Sequence, residues 1–284
     1  METKEFEIND TVLNTLSTIK VGIGETYHIR FFPTKDLVPV TFQDTSNRNL
    51  STLLENLIRD EEYIVLDLEW DPDFSRESNH PIALFQIGTS KGALIIKNAR
   101  NNSPIMQTFL TTHTFYMKGI SCDKKKLSNY LGPAFSSMKI IDVETAFLRP
   151  NGCLLNFEKM VETFVGKPTA SFKDKKISTS KWSKTLNLKQ ICYAAFDVVG
   201  LYESLPKMTN LSETEQPKKS VPLVNPETKE DNSEDNESDA AADDDNDNDD
   251  EIQEQDQQQK RDIQRKPQPV NDKELDLNDD ILDT

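Results

Sequence analysis

Between Leu211 and Thr284 the chain has no aromatic residue and carries 25 acidic against 8 basic side chains, so any core in this 284-residue protein must come from the first 210 residues. The centre of the tail, EDNESDAAADDDNDNDDEIQEQDQQQ, joins low hydrophobicity to high charge. Such a composition buries too little apolar surface to offset the entropy of ordering the chain, and residues 211–284 are expected to be a disordered acidic tail. The formal charge of −16 divides at the same point, with −17 in the tail and +1 before it. Spread evenly, that acidity would argue against phosphate binding; confined to a tail, it does not.

The first 210 residues are long enough for one well-buried domain. Cys122, Cys153 and Cys192 show no paired spacing, which points to reduced thiols in an intracellular protein rather than a disulfide scaffold. The start, METKEFEIND, has no apolar signal region, and no apolar run reaches the ~18 residues of a membrane span, so no membrane is expected as a partner. Residues 1–25 are polar and weakly patterned and read as an N-terminal extension, with the domain running from 26 to 210.

Within that domain, segments 26–32, 38–43, 63–70, 82–89, 93–97, 114–119 and 138–143 have the alternation or β-rich content of strands. Segments 49–60, 103–112 and 123–131 have helical spacing, and the rest to about residue 207 is helical apart from a polar loop near 167–184. The sum is an α/β layered domain with a mixed sheet, in which 82–89 and 93–97 form an antiparallel pair beside parallel strands. Neither GxGxxG nor a P-loop signature is present, so a doubly wound nucleotide-binding sheet is not indicated.

Three acidic patterns and one basic loop stand out. Asp67 and Glu69 in VLDLEW lie at i and i+2, on one face of a strand. On a solvated edge strand they would be ordinary surface charge. The flanking YIVL and Trp70 instead indicate a buried central strand, where two desolvated carboxylates repel and a hard divalent cation, Mg²⁺ or Mn²⁺, would relieve them. Asp123 opens a helix directly after a strand; the ordinary role there is an N-cap, with Gly119 permitting close backbone approach. Tyr193 and Asp197 in LKQICYAAFDVVGLYESL share a helical face at i, i+4. They are either core and solvated residues of a half-buried helix or a functional pair. The segment FKDKKISTSKWSK (172–184) sets Lys175, Lys176 and Lys181 around Trp182: a solvated loop, or a phosphate contact in which Trp182 stacks on a base or anchors the loop.

Taken together, Asp-x-Glu, then Asp, then Tyr-x₃-Asp resembles the DEDD superfamily of 3′→5′ exonucleases in its Tyr-containing branch. VLDLEW is similar to the first motif of that family, KGISCDKKKL to the second and YAAFD to the third. FKDKKISTSKWSK followed by YAAFDVVGLYESL most resembles the exonuclease domain of the Werner-syndrome type, over about residues 40–207. The resemblance implies an RNase H-like mixed sheet flanked by helices and two-metal phosphodiester hydrolysis. It implies that Asp67, Glu69, Asp123 and Asp197 hold two Mg²⁺ or Mn²⁺ ions and that Tyr193 orients the attacking water. Trp70 and Asp71-Pro72 would line the rim beside the terminal nucleotide. One departure is Phe196, where the branch commonly has a small Thr; altered packing rather than lost catalysis is expected.

No segment suggests the accessory helical domain of RNase D-type enzymes, so DNA is expected ahead of RNA as substrate. RNA 3′-end processing and a non-catalytic binding role on the same fold are the competing readings. In the tail, KRDIQRK (260–266) resembles a nuclear localisation signal, with a cytoplasmic protein as the alternative. KELDLNDDILDT could dock on a protein partner, or the whole tail could simply be solvated.

Overall fold

A computed structural model describes residues 4–75, 78–99, 102–147 and 156–215, with side chains up to residue 209. The acidic tail expected from 211 begins inside the last helix, which runs on to Glu215; the rest of that tail, with KRDIQRK and KELDLNDDILDT, and Cys153 lie outside the described residues. Eight strands form one mixed sheet in the order β1-β2-β3-β6-β5-β4-β7-β8. They are β1 (Lys4–Glu7), β2 (Thr26–Arg30), β3 (Val38–Asp44), β4 (Val65–Trp70), β5 (Ile82–Thr89), β6 (Gly92–Lys97), β7 (Thr114–Met117) and β8 (Lys139–Asp142). The hairpin β5/β6 is antiparallel, β4 is antiparallel to β5, and β4, β7 and β8 run parallel.

The period-2 pattern of β4 decides how the layers divide. Leu66 and Leu68 face one side, where they pack with Leu50 and Leu54 of α2 (Leu50–Ile58), Met106 and Leu110 of α3 (Pro104–Thr112), and Leu127 of α4 (Ser121–Leu131). Numbered in chain order, α1 is Asp10–Thr15, α5 is Val143–Ala146, α6 is Phe157–Phe164, α7 is Lys175–Ser178 and α8 is Leu188–Glu215. The opposite side of the sheet is covered chiefly by α8 and α6 through Ile191, Ala194, Ala195, Val198, Met160 and Val161. Gly88 on β5 lets α8 come close: a Cβ there would lie 2.8 Å from the Val198 Cβ. Among the described residues, no helix is long and apolar enough to cross a membrane.

Residues 4–25 differ from the extension read in the sequence. β1 pairs in parallel with β2, and Ile8, Leu13, Leu16 and Val21 enter the core under α8. A four-residue strand and a six-residue helix are too short for their periodicity to be read; their order comes from tertiary burial. Helix α4 begins at Ser121, with Ile120 as its cap residue, so Asp123 lies inside the first turn rather than capping it. Gly119 is needed for its φ of +69° and not for close approach, since nothing lies within 4 Å of a Cβ built there.

Candidate metal and nucleic-acid site

Each acidic motif arrives at the site on a different element. Asp67 and Glu69 project from β4 toward α8, and Asp197 projects from α8 back toward β4. One carboxylate oxygen from each of the three lies within 4.8 Å of the other two. Asp123, from α4, stands outside that set, yet its charge is felt by Asp67. Asp123 and Asp197 are buried, at 7% and 6% exposed, whereas Asp67 and Glu69 keep part of their surface toward a cleft.

The electrostatics follow from this crowding. Burial, then the negative charges of Asp197 and Asp123, holds the Asp67 carboxyl well above the ordinary carboxylate range. Burial, then Asp67 and Asp197, does the same to Glu69. Asp197 is raised by burial against the pull of Lys173. Asp123 is pushed up to about 6, first by burial and further by Asp197. A shared cation would reverse these shifts, because positive charge favours the ionised form of every carboxylate at once.

One cation is already supplied by the chain. Lys173 donates from Nζ to Asp197 Oδ1 at 2.6 Å and lies 3.7 Å from the centroid of the Tyr193 ring. Burial opposes its charge, but Asp197 and Tyr193 raise its pKa overall, so it stays an ammonium. Phe172, its neighbour in sequence, stacks on Phe196 at 4.9 Å and 28°, and Phe196 is the neighbour of Asp197. The ring that stands where the resembling family commonly has a small residue thus packs together the segments that carry Lys173 and Asp197. Phe31, Phe32 and Phe157 complete the aromatic cluster around Phe196. A cleft of about 190 Å³ opens here, lined by Asp67, Asp197, Lys118, Lys173, Phe157 and Leu201. Lys118 is held by Glu144 at 2.5 Å.

Tyr193 is buried, and burial followed by the Asp197 charge pushes its phenol up to about 12. At neutral pH it is a hydrogen-bond donor and not a base. Trp182 corrects the reading of it as a base-stacking residue. It is 0% exposed, donates from Nε1 to the Ser178 carbonyl at 3.2 Å, and packs against Tyr193 with centroids 5.8 Å apart. A ring with no exposed face anchors the loop behind Tyr193 instead of meeting a nucleotide. Lys175 and Lys176, in α7, and Lys181 just after it are exposed on the same segment, a short helix inside the stretch read as a polar loop. Trp70 is half-buried with the Lys126 ammonium 5.1 Å from its ring centroid, so its outward face is limited. The Asp71 carboxylate accepts from the Ser183 N–H and hydroxyl at 2.8 and 2.6 Å, tying the end of β4 to the lysine loop.

Sequence reasoning did not single out Lys173, which sits among other lysines with nothing in its spacing to distinguish it. It also passed over Gln86, although a lone amide in the apolar run IALFQIGT was a visible signal.

Comparison with known proteins points to the same stretch of chain. The profile of the family described as 3′–5′ exonuclease matches residues 42–213, more than half of the sequence. No curated protein sequence matches. Similar solved structures include Escherichia coli RNase D, 24% identical with a TM-score of 0.50, covering 61% of this chain and 46% of that one. Another is the catalytic core of Rrp6 from Trypanosoma brucei, 19% identical with a TM-score of 0.52, covering 70% of this chain and 55% of that one. This chain spans about half the length of those two, and at such identities the likeness is one of fold.

Proposed function

We propose, for a chain that belongs to the DEDD-type 3′–5′ exonuclease family and has its RNase H-like fold, that the protein removes nucleotides stepwise from nucleic-acid 3′ ends in a metal-dependent hydrolysis. The observation that carries this is the convergence of Asp67, Glu69 and Asp197 within 4.8 Å inside a desolvated cleft. The donor set fits hard divalent cations, since every candidate ligand is a carboxylate oxygen. Asp67, Glu69 and Asp197 would hold Mg²⁺ or Mn²⁺, and Asp123 would complete a second position, bringing four negative charges against two divalent cations. Such cations supply an activated water and stabilise the leaving 3′ oxygen.

The chain's own residues do the remaining work. Tyr193 keeps its proton and donates a hydrogen bond that orients the attacking group. Lys173 and Lys118 flank the cleft with positive charge where a phosphate must enter. Lys175, Lys176 and Lys181 contact the backbone further along the strand, with Trp70 at the rim. DNA is the proposed substrate, supported by the likeness of FKDKKISTSKWSK (172–184) and YAAFDVVGLYESL (193–205) to the Werner-type domain. RNA is the second reading, favoured by the fold shared with Escherichia coli RNase D, an exoribonuclease involved in structured RNA processing. Deoxyribo- and ribo-oligomers of one sequence, labelled at the 5′ end and incubated with Mn²⁺, separate the two. Faster shortening of the deoxyribo-oligomer is expected; preference for the ribo-oligomer would establish RNA processing, and two intact oligomers would overturn the nuclease reading. We place the protein in the nucleus on the KRDIQRK cluster, and a variant lacking 260–266 that remained nuclear would remove that placement. A protein partner for the tail is likewise proposed, from KELDLNDDILDT.

A further inference from the structure

Gln86 is a polar residue of the site that metal binding and phosphate contact leave unexplained. On β5 it stands directly opposite Asp67, and Leu84 stands opposite Glu69. Opposed residues of an antiparallel pair share a face of the sheet, so Gln86 projects beside Asp67 and is the diagonal neighbour of Glu69. A diagonal neighbour is within reach of side chains as long as Gln and Glu. On the other side, β6 places Ile95 opposite Gln86, offering no polar group.

Gln86 is 0% exposed; neither its Oε1 nor its Nε2 makes a well-formed hydrogen bond, yet its side chain is near enough to the Glu69 carboxylate to favour the ionised form there. The other two buried glutamines among the described residues use theirs. Gln43 Oε1 accepts from Asn47 at 2.7 Å, and Gln190 accepts from the Asn187 N–H and donates to Ser180 at 3.1 and 2.9 Å. A buried amide left unpaired destabilises a fold, and Leu or Met would fill the same volume without that penalty. The nearest chemistry able to use the amide is the carboxylate pair on β4.

We propose that Gln86 is a positioning residue for that pair, its Nε2 donating to the Glu69 carboxylate when the site carries its cations and so fixing which oxygen faces them. Gln86 acts through Glu69 and does not itself hold a cation. The inference rests on the metal-dependent nuclease reading above.

Gln86→Met, close to Gln in length and shape, tests it in the full chain, with Gln86→Leu as a second variant should Met pack poorly. Calorimetric titration with Mn²⁺ and thermal melting in EDTA are measured beside cleavage. The Mn²⁺ affinity is expected to fall about 10-fold or more, the scale found when groups that orient metal ligands are removed. The melting temperature in EDTA is expected to hold or rise, since a buried amide without a well-formed hydrogen bond has been taken out. A merely structural role predicts the opposite: a lower melting temperature with Mn²⁺ affinity intact. That result, or a Gln86→Met protein that binds Mn²⁺ and cleaves as the wild type does, overturns the inference and leaves the nuclease reading standing. A wild type that binds no Mn²⁺ overturns both.

Discussion

The two faces of the sheet are both covered by helices, but they differ in what they bury. On the side of α2, α3 and α4, strand β4 contributes Leu66 and Leu68 to a layer shared with Phe85, Ile87, Leu110 and Phe115. On the α8 side, the same strand contributes Asp67 and Glu69, which meet Asp197 inside a frame of Val65, Leu84, Ala194, Ala195 and Val198. The first layer holds together by apolar area, whereas the centre of the second is self-repelling until positive charge enters. One strand of alternating side chains thus serves stability on one face and chemistry on the other.

Exchanging one residue from each face tests this division most severely. Asp67→Asn is expected to lower the cleavage rate by ~10³-fold or more, while the melting temperature in EDTA holds or rises. Leu68→Ala, one position along, is expected to cost ~2–5 kcal/mol of stability and leave the rate per folded molecule little changed. Denaturant titrations and nuclease assays on both variants check the pair. An unfolded Asp67→Asn or an inactive but stable Leu68→Ala would show that the faces are not separable.

The pH dependence sharpens the same contrast. A carboxyl whose pKa is raised in the folded protein binds its proton more tightly there than in the unfolded chain. Stability from such a group is therefore present at low pH and lost as pH rises through the folded pKa. Asp123 moves from 3.8 to about 6, and Asp67, Glu69 and Asp197 shift in the same direction. In EDTA the melting temperature is expected to fall between pH 4 and about 6, and Mn²⁺ is expected to raise it more at pH 7 than at pH 5. Asp67→Asn should flatten both trends. A melting profile that rises with pH over this range in EDTA would contradict the charge crowding.

The smallest effect expected is at the exposed lysines. Replacing Lys175, Lys176 and Lys181 together by Ala should weaken nucleic-acid binding and reduce its dependence on salt, with a slope change of about 2 for single strands. The catalytic rate at saturating substrate should hold. An unchanged salt slope would return this loop segment to simple solvation.

What the sequence disclosed follows the same lines. Asp67 and Glu69 were legible because two acids at i, i+2 in an apolar run conflict with burial, and Tyr193 with Asp197 because a carboxylate on an apolar helix needs a partner. The mixed sheet and the β5/β6 pair followed from alternation and the intervening turn. Lys173 was not legible, because what distinguishes it from Lys175 or Lys176, the Asp197 ion pair, the Tyr193 ring and the neighbouring Phe172–Phe196 stack, joins it to a helix some 20–24 residues away. Of the two roles the sequence left open for Trp182, base stacking and anchoring the loop, the flanking lysines suggested exposure, while the ring turns inward behind Tyr193 as an anchor. The order of residues 4–25 is set by pairing with β2 and escapes any local pattern.

The measurement closest to the central claim follows a 5′-labelled oligomer in the presence of the full-length protein with Mn²⁺, with Mn²⁺ and excess EDTA, and with the Asp67→Asn variant. A ladder shortening from the 3′ end in the first reaction alone is the predicted result. An intact oligomer in all three, or an equal ladder from Asp67→Asn, would contradict it.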